Sequence, residues 1–100
     1  MNHQAPIIHQ VQLHLDQRLF EALRYLRVVD SQYEFSRMTG RHRSYFSSLK
    51  CKGLPMSAAA LAGIKKRLSV LAAQEADLNR HHQLVRVVAD LEDEIRQRLV

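Results

Sequence analysis

From Arg41 to Lys52 the chain reads RHRSYFSSLKCK, with two arginines, two lysines and three serines in twelve residues. Guanidinium and ammonium groups neutralise phosphates, and an arginine fork can also bond O6 and N7 of guanine. Serine hydroxyls both donate and accept, so they suit several base edges. The segment lacks the partners that reaction chemistry needs. The chain has no glycine-rich phosphate loop, no nucleophile motif and no paired carboxylates. The chemistry on offer is recognition of a polyanion, and no catalytic residue is predicted.

The charge distribution points the same way. The 100 residues carry 15 Lys and Arg against 10 Asp and Glu, a net charge of +5. Residues 1–34 are net −1 and residues 75–100 net −2, counting their Arg, Lys, Asp and Glu. From Phe35 to Gln74 lie Arg37, Arg41, Arg43, Lys50, Lys52, Lys65, Lys66 and Arg67, and no acid. A localised basic patch is the footprint expected for a nucleic acid. A solvated basic face that keeps the chain soluble is the competing reading.

These residues need rigid elements to hold them. Residues 1–12 show no helical period and include Pro6, which predicts a flexible arm. Over Leu13–Val29 the spacing of Leu15, Leu19, Ala22, Leu23 and Leu26 predicts an amphipathic helix. Ser31 and Glu34 form a capping box that opens a second, with Phe35 and Met38 inward and Gly40 ending it. A third, preceded by His42 or Arg41, runs to about Lys50, with Phe46 and Leu49 inward, and stops at Gly53 and Pro55. Ser57 caps a fourth, whose seam is Leu61, Ile64, Leu68 and Leu71. Gly63 inside it suggests a close helix crossing. The last helix spans roughly Leu78–Leu99, on a stripe of Leu84, Val88, Leu91, Ile95 and Leu99. A phase change between the two seams predicts a break capped by Asp77 or Asn79. Glu92–Arg96 and Glu94–Arg98 are spaced as ion pairs.

Ser31-Gln32-Tyr33-Glu34-Phe35-Ser36, Gly40 and Ser44-Tyr45-Phe46-Ser47-Ser48-Leu49 together resemble the lambda-repressor-like helix-turn-helix family, the Xre or Cro type. The resemblance covers roughly residues 15–71. Its approximate consensus is S-Q-E-E-L-A-x-x-L-G-V-S-x-x-Y-I-S-x-L-E. Three positions depart from it. Ser36 replaces a small alanine, Arg41 stands where an apolar residue plugs the turn, and Lys50 replaces a common glutamate. Met38 is then expected to pack the turn. The resemblance implies a helix in the major groove of double-stranded DNA, a homodimer, and a phosphate contact from Gln32.

On this reading Arg43, Ser44, Ser47 and Ser48 contact bases. Gln32, Arg41, Tyr45, Lys50 and Lys52 contact the DNA backbone, with Arg37 a further candidate. For Tyr45, stacking or covering the edge of the core competes with that role. The six histidines have no metal-ligand spacing, so no metal and no other cofactor are expected. Cys51 cannot form an internal disulfide, which favours a reducing cytosol. Its lysine neighbours would activate an exposed thiol, although an incidental thiol is the commoner case. The start of the chain lacks the pattern of a secretory signal, and no apolar run is long enough to cross a membrane.

The sequence therefore predicts an all-α protein of about five helices. Its parts are an arm (1–12), a DNA-binding domain (13–76) and a C-terminal helix (77–100) for dimerisation or core capping. The expected function is sequence-specific, non-enzymatic DNA binding by a small bacterial or phage transcriptional regulator in the cytoplasm, with no membrane or small-molecule partner. The alternative is a helical protein–protein interaction module on the same scaffold.

Overall fold

Five helices and no strand make up the residues described, 7–99, in a computed structural model of the chain. They are α1 (Ile7–Tyr25), α2 (Gln32–Met38), α3 (Tyr45–Lys52), α4 (Ala58–Gln74) and α5 (Leu78–Arg98). The fold is all-α. No helix among these residues is long and apolar enough to cross a membrane. Residues 1–6, half of the expected arm, lie outside the described residues.

The helices fall into two compact units. The first comprises residues up to Arg37 together with Arg41–Met56, and the second Met38–Gly40 with Ser57–Val100.

In the first unit α1 begins at Ile7 rather than near Leu13. Its buried face keeps Leu23 and Leu26 as expected but takes in Phe20 in place of Leu15. Phe20 is 5% exposed and Leu23 fully buried, whereas Leu15 is 37% exposed. The reason is aromatic packing. Phe20 lies 5.4 Å from Phe35 and 5.7 Å from Phe46, and the last two meet edge to face at 4.8 Å. Three rings so placed form an apolar cluster with favourable tilted and edge-to-face geometry. Asp16, on the same buried face, accepts a hydrogen bond from the Met56 amide at 2.8 Å. A carboxyl acceptor there ties the start of the chain to a residue 40 positions later.

α1 stops by a local device. Arg27 takes the left-handed conformation (φ 60°), Val28 N–H donates to Leu23 O at 2.8 Å and Arg27 N–H to Arg24 O at 3.0 Å. This is the Schellman pattern, in which glycine is the usual residue. α2 then opens on Ser31, whose hydroxyl accepts from Glu34 N–H at 3.3 Å. Glu34 reaches one residue further back than the capping box requires, to Asp30 N–H at 3.1 Å.

The second unit is built on the α4–α5 pair, joined by Glu75–Asp77. Ser57 caps α4 and Asp77 caps α5, each accepting from the amide three residues on. The break predicted near Asp77 is therefore present. At the bend Glu75 holds Arg80 at 3.0 Å, and His81 Nδ1 lies 2.6 Å from the Ala72 carbonyl at the end of α4. Glu94–Arg98 pairs at 2.8 Å as expected. The expected Glu92–Arg96 pair is absent, because Glu92 crosses to Lys65 on α4 at 3.2 Å and Arg96 turns to Asp93. Buried positions on α4 are Ala60, Leu61, Ile64, Leu68 and Ala72, so Ala72 takes the place expected of Leu71. Leu99, expected on the α5 stripe, is exposed.

Gly63 explains itself within this unit. A Cβ at that position would stand 2.8 Å from the backbone oxygen of buried Thr39. Only glycine admits so close an approach.

Candidate nucleic-acid interface

The residues expected to contact DNA sit on α2, α3 and the six residues Thr39–Ser44 between them. Gly40 has the positive φ (83°) expected of it. The connection is longer than a tight turn, and α3 begins at Tyr45 rather than directly after Arg41 or His42. His42 and Tyr45 close a turn of their own, with Tyr45 N–H donating to His42 O at 3.1 Å. The His42 Nδ1 and Ser44 Oγ atoms are 2.9 Å apart. Arg43 and Ser44 consequently precede the helix, approaching it from the N-terminal side.

This arrangement leaves α3 without a cap from its own N-terminal neighbour. Ser44 sits at the cap position but its side chain makes no capping bond. Ser36, fully buried on α2, replaces it: its hydroxyl accepts from the Phe46 amide at 2.9 Å. The Ser36 substitution, which sequence reasoning treated as a tolerated small residue, is thus the link that fixes α3 to α2. The far end of α3 closes on Gly53 (φ 65°), with Leu54 N–H donating to Leu49 O and Gly53 N–H to Lys50 O.

Phe46 is buried as expected, and Leu49 is half-buried. Arg43, Lys50 and Lys52 are exposed, and Arg37 is exposed on α2. None of these four cations pairs with a carboxylate among the described residues. Ser44, Ser47 and Ser48 are half-buried, and the Ser47 hydroxyl donates to Ser44 O at 3.1 Å. Its oxygen keeps lone pairs for a donor from outside. Gln32 opens α2 and is half-buried.

Arg41 is not idle in the turn. Half-buried, its guanidinium stands 5.1 Å from the centroid of the Tyr45 ring. The planar cation covers that ring, which supplies part of the packing that an apolar plug would give. Arg43 is placed differently, 5.8 Å from the ring of Tyr33 on α2. Tyr33 was not singled out as a site residue from the sequence. The signal was present, since an aromatic beside the cap of a short helix and outside its apolar pattern has no core to fill. The Lys50 ammonium stands 5.4 Å from the centroid of the Phe46 ring.

The first unit holds eight Arg and Lys against four Asp and Glu, and the second seven against six. Four of the five excess charges thus belong to the unit that carries α2 and α3. Cys51 is a free, exposed thiol between Lys50 and Lys52. Among the described residues no three His, Cys, Asp or Glu side chains gather as a metal site would need.

Comparison with known proteins gives one match. No curated protein and no solved structure matches the chain. Residues 17–100 match a family of unknown function, DUF6626, and the chain belongs to that family.

Proposed function

We propose that the protein binds double-stranded DNA, laying α3 and the turn before it in the major groove. The observation that carries this reading is the set of four exposed cations, Arg37, Arg43, Lys50 and Lys52, with no carboxylate partner among the described residues. Cations kept only for solubility have no need to gather on the two shortest helices and the turn between them, a pair locked together by a buried hydrogen bond. Arg43, with Ser44, Ser47 and Ser48, addresses base edges. Gln32, Arg41, Tyr45, Lys50 and Lys52 address the backbone. The protein is a non-enzymatic regulator of transcription in the cytoplasm of a bacterium or in a phage's host. It acts as a homodimer, because one eight-residue helix reads few bases and a two-fold pair reads two half-sites about 34 Å apart.

A second reading, a helical protein-interaction module, is favoured by Ile7, Ile8, Val11 and Leu15. These form an exposed aliphatic stripe on the first half of α1.

Titration against mixed-sequence duplex DNA at low and moderate salt separates the two. The DNA reading expects micromolar binding that weakens steeply with salt, as phosphate contacts require. Arg43→Ala relaxes sequence preference, whereas Lys52→Ala weakens every duplex alike and lowers the salt slope by about one. Absence of salt-sensitive binding at micromolar protein would leave the interaction module as the better account.

A further inference from the structure

We propose that Tyr33 is a positioning residue for base recognition, holding the Arg43 guanidinium ready for a guanine. The proposal rests on the DNA reading above and extends it from α3 to α2. Arg43 stands in the turn before α3, so no helix fixes its backbone direction. It has no hydrogen bond and no ion pair among the described residues, and its one recorded contact is the ring of Tyr33 at 5.8 Å.

That contact has a useful chemistry. A guanidinium lying over a ring uses its face, and its five N–H donors point outward in the plane. The edge that bonds O6 and N7 of guanine therefore stays open while the side chain is already ordered. An arginine held this way loses less rotamer freedom on binding than a free one. Tyr33 itself is 58% exposed, so its ring is not filling the core. Arg41 makes the contrast: it is half-buried over Tyr45 four residues away, which packs the turn and leaves less of its edge for DNA.

The test begins with a preferred duplex recovered from a randomised pool. Each guanine in it is replaced singly by 7-deazaguanine, which removes N7 and keeps base pairing. Wild type is expected to lose about tenfold in affinity at one guanine per half-site. Arg43→Ala is expected to be indifferent there, and Tyr33→Phe to behave as wild type. Tyr33→Leu is expected to show less than about a threefold loss, with an unchanged salt slope and unchanged affinity for unrelated duplex. In the free protein, the Arg43 δ-methylene protons are expected to be shifted upfield in wild type and to lose that shift in Tyr33→Leu. Wild-type sensitivity in Tyr33→Leu overturns the proposal alone. So does a uniform loss on all duplexes with a shallower salt slope, which marks a phosphate contact. Wild type that binds no duplex in a salt-sensitive way overturns the DNA reading and this proposal with it.

Discussion

The hydroxyl of Ser36 on α2 accepts a hydrogen bond from the backbone amide of Phe46 on α3, at 2.9 Å and out of contact with water. A capping bond is ordinarily made by the residue next to the helix. Here the donor belongs to the first turn of α3 and the acceptor to another helix, ten residues earlier. One bond therefore both caps α3 and sets its position against α2.

Removing that oxygen tests its importance. Ser36→Ala strands a buried amide, and the expected loss is about 1–2 kcal/mol. For a domain of this size that is a fall of roughly 4–16 °C in melting temperature, readable by circular dichroism. Ser44→Ala, at the formal cap position, is expected to cost less than half as much. Equal losses from the two would contradict the assignment of the cap to Ser36.

Gly63 offers a test with an inverted sign. In an exposed helix interior, alanine for glycine stabilises by about 1 kcal/mol. At Gly63 the added methyl meets the Thr39 backbone oxygen at 2.8 Å, and a backbone atom cannot swing aside as a side chain could. Gly63→Ala is expected to destabilise by about 1–3 kcal/mol in urea unfolding. A stabilised variant would show that the two segments do not approach so closely in solution.

Arg27 is the one described residue other than glycine with a positive φ. The left-handed conformation costs an L-residue roughly 1–2 kcal/mol, which glycine escapes. Against this, glycine gives up more entropy on folding, and a cation is lost from the helix C-terminus. The balance expected for Arg27→Gly is a gain of about 0.5–1 kcal/mol, measured as a higher urea midpoint at unchanged slope. Arg27→Ala, which keeps the strain, should show no gain.

Much of this architecture can be read from the residues. Ser57, Asp77, Gly40 and Gly53 mark boundaries because each has local chemistry that only a helix end or turn demands. What could not be read depended on contacts distant in sequence. Phe20 replaces Leu15 on the buried face of α1 because two other rings, from α2 and α3, meet it there. Asp16 is buried where it accepts from an amide 40 residues away, and no local pattern announces that. α3 starts two or three residues later than expected because His42 and Ser44 engage each other, so the segment before Tyr45 stays a turn. In the candidate site, residue types and exposure of the cations were legible. The role of Ser36 was not, because it acts across ten residues of chain on a partner the sequence does not name.

The brevity of the two joined helices has a kinetic consequence. α2 has seven residues and α3 eight, and an isolated helix needs roughly 12–15 to hold together in water. Neither can survive detached from the other. The surface they carry therefore has no half-formed version, and it melts and reforms as one cooperative event. Backbone amides along α2 and α3 should exchange with solvent deuterium at a common rate rather than fraying singly. A partner docking there would meet either the whole surface or none of it.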